Sequence, residues 1–242
     1  MGRFVILSGP SCVGKGPLHS ALKKVYPELA EKLKPLVLYN DRAPRPSEKN
    51  DVDYHFRSRE EIEKLRGKEG YSVFEVRGDL QAVDISELHE TLEEGDAFFE
   101  GNPFVGSYLL ECPLPEGVER LSIFLSPLSR AEVKRLRAEG DIEKLLTSVM
   151  RRKLLRRTQK QRGLLGLPDL EEVERRAGSA WKEVCLAPKF EYVLPNHDGE
   201  DSENWDAFYH PVGDAFRVLH AFASLLKGEE TEVAEKWDEI KI

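Results

Sequence analysis

The sequence predicts an α/β fold with a mostly parallel central sheet flanked by helices, and three observations carry that expectation. A continuous apolar run, Phe4-Val5-Ile6-Leu7, has the length of a strand and stops at a glycine-rich turn. Further short apolar runs recur along the chain, and segments with helical spacing fall between them. Strands that alternate with helices imply crossover connections, and crossovers join parallel strands.

Phe4 to Leu7 lacks the apolar-polar alternation of a half-exposed strand, so both of its faces are expected to be buried. Leu18, Leu22 and Val25 then recur at helical spacing until Pro27 ends the pattern. Leu36-Val37-Leu38-Tyr39 reads as a second strand. Ser58-Arg59-Glu60-Glu61 opens a short helix, because Ser58 can cap it while Glu61 reaches back to the cap. Strands are expected at residues 72–76, 97–100, 121–125 and 191–194, with helices near 86–94, 129–138, 143–162 and 169–184. The polar, acidic stretch 196–204 reads as a loop, 212–226 as an apolar-rich helix, and 227–242 as a charged tail, frayed or docked on the surface.

Length and composition narrow the function. A chain of 242 residues buries a sizeable core as one domain, or as one domain with mobile inserts. The net charge of -8 argues against general nucleic-acid binding, since a surface that follows a phosphate backbone needs a basic balance. Any anion site must therefore be built locally. Cys12, Cys112 and Cys185 form no C-x-x-C pair and no disulfide framework, so a reducing compartment fits best and a cytoplasmic location is expected. The apolar run at the N-terminus is too short for a signal peptide, and no apolar stretch approaches the roughly 18 residues of a membrane span.

The turn after the first run is a phosphate-binding loop, Gly9-Pro10-Ser11-Cys12-Val13-Gly14-Lys15, set between an expected strand and an expected helix. Glycines let successive backbone N–H groups converge on one point, the helix start adds partial positive charge, and Lys15 can reach the outer phosphates of a nucleoside triphosphate. The triphosphate contacts are assigned to Gly9, Ser11, Cys12, Val13, Gly14, Lys15 and Gly16. One position is unusual. The Ser or Thr that normally follows the lysine and holds magnesium through its hydroxyl is Gly16 here, and Pro17 comes next. Pro17 suits a first helical turn, where its missing N–H has no intrahelical partner to lose. Magnesium prefers hard oxygen ligands, so among Asp41, Glu75 and Glu100 the candidates to hold Mg2+ are Glu100 and Asp41.

Arg42-Ala43-Pro44-Arg45-Pro46, then Asp51-Val52-Asp53-Tyr54-His55-Phe56 and Ser58-Arg59-Glu60-Glu61, together with Ser8-Gly9-Pro10-Ser11 and Gly14-Lys15, closely resemble the guanylate kinase family. The resemblance implies a P-loop kinase with an inserted acceptor-binding segment and a helical lid, in which Arg42, Arg45 and Tyr54 bind the phosphate of a nucleoside monophosphate. The residue chemistry agrees, because two guanidiniums on a segment stiffened by proline can give one phosphate several charge-assisted donors. Val73-Phe74-Glu75-Val76 resembles the family strand whose glutamate contacts guanine, which implies that Glu75 reads the base. Departures follow. Leu80-Gln81-Ala82-Val83-Asp84 stands where the family has Asn-Tyr-Tyr-Gly, Leu38-Tyr39-Asn40-Asp41 replaces its Ser or Thr cluster, and Phe99-Glu100-Gly101-Asn102 replaces its Asp-x-Asp.

Farther on, Ile123-Phe124-Leu125-Ser126-Pro127, Lys134-Arg135-Leu136-Arg137 and Arg151-Arg152 resemble the family's pre-lid strand and its lid arginines. Between Ser148 and Arg162 there are seven basic residues and no acid, which supports a local anionic ligand. Arg135 and one of Arg151 or Arg152 are therefore expected, with Lys15, to steady the transferring phosphoryl group. Val193-Leu194-Pro195-Asn196 resembles the strand end where an asparagine lies beside the donor's adenine, so Asn196 is assigned to ATP. Residues 1–200 are expected to form the kinase-like domain, with the acceptor segment at about 37–95 and the lid at about 130–165, and 201–242 a helical extension.

The resemblance implies Mg2+-dependent transfer of the γ-phosphoryl of ATP to a nucleoside monophosphate, in its simplest form GMP. A phosphorylated acceptor of another kind, such as a modified nucleotide or sugar phosphate, stays open, as does a non-catalytic binding module of the same fold. No nucleic-acid or membrane partner is expected.

Overall fold

A computed structural model describes residues 2–44 and 48–238. β1 (Phe4–Ser8) leads into α1 (Lys15–Val25), followed by α2 (Pro27–Ala30), β2 (Leu33–Pro35), β3 (Tyr39–Asn40), β4 (His55–Phe56), α3 (Arg59–Glu63), β5 (Tyr71–Val76), β6 (Asp79–Asp84) and α4 (Ile85–Glu94). The chain continues through β7 (Asp96–Gly101), α5 (Pro103–Glu111), β8 (Arg120–Ser126), α6 (Arg130–Glu139), α7 (Ile142–Arg162), α8 (Leu167–Val184), β9 (Tyr192–Pro195) and α9 (Gly213–Lys227). The expected α/β fold is present: a five-stranded sheet runs β2-β7-β1-β8-β9, and its pairs β2/β7 and β8/β9 are parallel. Every residue of β1 is buried, as its unbroken apolar run requires.

A second sheet, of order β4-β3-β6-β5, accounts for two differences from the sequence reading. Residues 36–38 are not a strand, because this apolar run hands the chain from one sheet to the other. The Leu36 amide donates to the Phe98 carbonyl at 2.8 Å, while the Leu38 carbonyl accepts from the His55 amide at 2.9 Å. β6, a strand that the sequence pattern does not predict, pairs antiparallel with β5 from Tyr71↔Asp84 to Val76↔Asp79. The two-residue turn that fixes this register, Arg77-Gly78, has positive φ at both positions, 56° and 92°. Helix α5 was also missed. Its start is marked by Asn102, whose side-chain oxygen accepts from the Phe104 and Val105 amides, with Pro103 as the first helical residue.

The chain forms two compact units, one of Met1–Val5, Leu33–Phe99 and Glu111–Leu121, the other of Ile6–Lys32, Glu100–Leu110 and Ser122–Ile242. Within the first, Ile62, Leu80 and Ala82 form a small core roofed by Tyr39, Leu65 and Val73. Within the second, α7 and α8 pack along their lengths. Their buried stripes, Ile142, Leu146, Met150 and Leu154 on α7 and Val173, Ala177, Ala180, Trp181 and Val184 on α8, repeat at helical spacing. The acidic tail docks as far as it is described: Val193 and Glu235 exchange backbone hydrogen bonds at 2.8 Å, and Trp237 is buried.

Candidate active site

The phosphate loop lies in the second unit and is held from below. Gly9 is required by a close approach, since a Cβ there would stand 2.4 Å from the Leu125 carbonyl oxygen. Gly14 caps α1 with φ +106°, a conformation that disfavours any side chain. Lys15 folds across the loop, its ammonium donating to the Gly9 carbonyl at 2.7 Å and the Pro10 carbonyl at 3.0 Å. Ser11 is half-buried and Val13 is buried. Cys12 is buried in the left-handed region, at φ 67°. Burial, reinforced by the nearby Glu200 carboxylate, pushes its thiol up to about 12, so it stays protonated.

Asn196 is a buried clamp, 1% exposed. Its side-chain N–H groups donate to the Val13 carbonyl at 2.8 Å and the Asp198 carbonyl at 2.6 Å, and its oxygen accepts from the Asp198 amide at 3.1 Å. Asp198 extends the scaffold, its carboxylate accepting from Ser202, Asn204 and the Ala215 amide. The Trp205 indole N–H donates to the Asp198 and Gly199 carbonyls at 2.9 and 3.0 Å. A cavity of about 300 Å³ lies beside α1, lined by Pro17, Ala21, Lys24, Lys160, Trp205 and Asp206 among others.

On the metal side, a Cβ built at Gly16 meets only Glu100 Oε1, at 3.7 Å. Glu100 stands near the end of β7, and its Oε2 lies 3.2 Å from His19 Nδ1. Among the described residues no group of three His, Cys, Asp or Glu could hold a metal ion. A single carboxylate beside a triphosphate cradle nonetheless fits magnesium, which commonly takes one or two carboxylates plus substrate phosphates and water. Asp41, in the first unit, already has both oxygens engaged, accepting from the Leu80 amide at 2.8 Å and from Arg59 at 2.9 Å.

The expected lid residues separate. Arg151 is forked onto Glu174 of α8 at 2.5 and 2.7 Å, Arg135 sits loosely at 3.9 Å from Glu139, and Arg152 is exposed. Two cations not singled out from the sequence do reach the phosphate-loop scaffold. Lys153 donates to the His197 carbonyl at 2.6 Å, and the Arg157 guanidinium donates to Glu200 at 2.8 Å beside the loop residue Cys12. Their i, i+4 spacing puts them on one face of α7, but Arg152 and Arg156 share that spacing, so no sequence signal singles them out.

The acceptor segment lies in the first unit. Asn50, Asp51 and Asp53 tie the 49–57 loop to itself, Asn50 accepting from the Phe56 amide at 2.8 Å and Asp53 from the Lys49 amide at 2.8 Å. The Arg42 guanidinium forks onto Glu48 with two bonds of 2.7 Å and stands 5.1 Å from the Tyr54 ring centre and 5.3 Å from that of Phe56. Arg42 and Tyr54 therefore share one microenvironment. Arg45 lies outside the described residues. Glu75 is reached by Arg59 at 3.3 Å, so one guanidinium spans Asp41 and Glu75.

The guanylate kinase family model matches residues 1–75. Among curated relatives, the guanylate kinase of Synechococcus sp. (strain JA-3-3Ab) is 27% identical over 213 residues, covering 87% of this chain and 83% of the relative. That of Halalkalibacterium halodurans is 29% identical over 200 residues, 82% of each chain. The crystal structure of guanylate kinase from Anaplasma phagocytophilum superposes with a TM-score of 0.54 at 20% identity, over 94% of this chain and 85% of that one, a likeness that speaks for the fold alone. With a phosphate loop opening α1, a parallel sheet and Arg42 beside Tyr54, the chain is similar to guanylate kinases over most of its length and shares their fold.

Proposed function

We propose that this protein transfers the γ-phosphoryl group of ATP to GMP. The observation that carries the reading is the phosphate loop with Lys15 folded over it on the second unit. Phosphoryl transfer is mostly positioning plus charge stabilisation, so such a kinase needs an anion cradle, an acceptor clamp and mobile cations. The loop amides and Lys15 take the donor phosphates. Arg42, with Arg45 and Tyr54, takes the acceptor phosphate, which replaces Glu48 on the Arg42 fork, and Glu75 reads the base. Of the three arginines expected in the lid, Arg135 and Arg152 are exposed and able to meet developing charge, Arg151 being committed to Glu174. Mg2+ bound with ATP would neutralise charge on the outer phosphates, and Glu100 is the residue that would hold it. Three free cysteines support a reducing, cytoplasmic setting, and no helix among the described residues is long and apolar enough to cross a membrane.

Turnover of Mg·ATP against a panel of nucleoside monophosphates and sugar phosphates tests the reading. Transfer to GMP in clear preference to the others is expected. Preference for a sugar phosphate or another nucleotide would refute the assigned acceptor, and no transfer to any acceptor would refute the activity.

A further inference from the structure

We infer that Arg59 is a specificity-determining residue of the acceptor site, its guanidinium donating to O6 of guanine beside the Glu75 carboxylate; the inference rests on the reading above that Glu75 reads the base. Arg59 is the first residue of α3, set there by the Ser58/Glu61 capping box. Its Nη1 donates to Asp41 Oδ2 at 2.9 Å and to the Gly78 carbonyl at 3.1 Å, and its Nη2 to Glu75 Oε2 at 3.3 Å. The Asp41 end is an anchor. That side chain is 9% exposed, and its other oxygen accepts at 2.8 Å from the amide of Leu80, the residue opposite Glu75 in the β5/β6 register. The Glu75 end is open, the Arg59 and Glu75 side chains being 49% and 60% exposed. An ion pair that open contributes little to stability, so stability does not account for an arginine anchored at one end and presented to solvent at the other.

The pair matches one edge of guanine, where the O6 acceptor, the N1–H donor and the 2-amino donor follow one another. A carboxylate accepts from N1–H and the 2-amino group but has nothing to give O6, and a carbonyl left unmet in a site costs affinity. An arginine N–H next to the carboxylate supplies the missing donor. Among the described residues, the bonds to Asp41, Gly78 and Glu75 use three of the five guanidinium N–H groups, so donors remain on Nη2 and Nε. Adenine carries an amine at position 6 and a bare acceptor at N1, so it would set donor against donor at Arg59 and acceptor against acceptor at Glu75. Asp41 acts through Arg59, as a positioning residue.

The test is kcat/KM of the full-length protein with Mg·ATP for GMP, IMP and 6-thio-GMP. IMP keeps O6 and N1–H and lacks the 2-amino group, whereas 6-thio-GMP keeps both donors and replaces O6 by sulfur, a weak acceptor. Wild type should prefer GMP to 6-thio-GMP by at least about tenfold, the size of one charge-assisted hydrogen bond. In Arg59→Ala the values for GMP and IMP should fall together by at least about tenfold and that for 6-thio-GMP by less than about threefold, so that the preference collapses. Arg59→Lys, which keeps a charged donor, should retain part of the preference, and Asp41→Asn, which loosens the anchor, should lose part of it. Each readout is a ratio between acceptors on one preparation, so a smaller folded fraction leaves it unchanged. An Arg59→Ala protein that keeps the wild-type preference overturns the inference, as does a wild type that uses GMP and 6-thio-GMP alike. Where alanine abolishes all turnover, Arg59→Lys decides, and a full wild-type preference there overturns it. A Glu75→Gln protein that keeps the wild-type ratio of GMP to IMP refutes the base-reading role of Glu75 instead, and a wild type that transfers nothing to GMP refutes the kinase reading itself.

Discussion

Replacing Asn196 by alanine separates a buried clamp from a contact on the donor's base. Truncation removes two donated hydrogen bonds, to the Val13 and Asp198 carbonyls, and one accepted from the Asp198 amide. The Asp198 carbonyl keeps the Trp205 indole at 2.9 Å, so its loss is covered. The Val13 carbonyl and the Asp198 amide lose this partner at a residue that is 1% exposed. Leaving a buried polar group unpaired costs about 1–3 kcal/mol, and with some water entering the gap the two groups together should cost about 2–4 kcal/mol. For a chain of this length that corresponds to a fall of roughly 5–15 °C in Tm. Differential scanning fluorimetry without nucleotide gives the first readout and ATP calorimetry the second. Asn196→Asp should be worse than alanine, because it sets a carboxylate against two carbonyl oxygens. A variant that keeps the wild-type Tm within about 2 °C yet binds ATP tenfold more weakly would show that Asn196 works through the ligand, contrary to the clamp.

Other expectations follow from the same geometry. Arg42→Lys loses the fork that holds Glu48, so the KM for the acceptor should rise by at least tenfold while the KM for ATP changes little, a loss of about 1.5–3 kcal/mol on one substrate only. Cys12, buried and held protonated, should resist iodoacetamide at pH 8 in the native protein, whereas the half-buried Cys185 reacts first; mass spectrometry of the alkylated peptides distinguishes them. Burial pulls the His197 imidazole down, but hydrogen bonds to Asp214 at 2.5 Å and Glu132 at 3.0 Å outweigh it and hold the imidazolium above its ordinary 6.5. A raised folded-state pKa gives stability that is fully present below 6.5 and is lost as pH rises through the folded value, so wild-type Tm should fall over that interval and His197→Ala should flatten the fall. Leu154→Ala, in the buried stripe of α7, should destabilise by about 2–5 kcal/mol, measured by urea denaturation.

What the sequence made legible was local. The phosphate loop is read from one segment because strand, glycine turn and lysine are contiguous, and the Ser58/Glu61 capping box forms as its spacing requires. The closeness of Arg42 to Tyr54 is local in the same way, since both belong to one short stretch of sequence. Elements defined by pairing were harder. β6 alternates only over Asp79-Leu80-Gln81-Ala82, too short a run to stand out, and Leu80 to Val83 are buried throughout, so the Arg77-Gly78 turn is its clearest signal. Side-chain roles set by distant partners were hardest. Whether an arginine on α7 faces solvent or Glu200 depends on where the chain brings residues 196–201, so Arg157 could not be told from Arg152 by composition. Asn196 likewise reads as a strand-end residue in sequence, and its burial beneath Val13 is a tertiary fact.

The most direct measurement follows phosphorus itself. Wild-type protein is given Mg2+, GMP and ATP radiolabelled at the γ position, and the products are separated by chromatography alongside a Lys15→Ala control. Label arriving in GDP in step with ADP formation, and falling by at least a hundredfold in the control, is the predicted result, since Lys15 is the cation placed on the donor cradle. Label that stays in ATP, or is released only as inorganic phosphate, would contradict phosphoryl transfer to GMP.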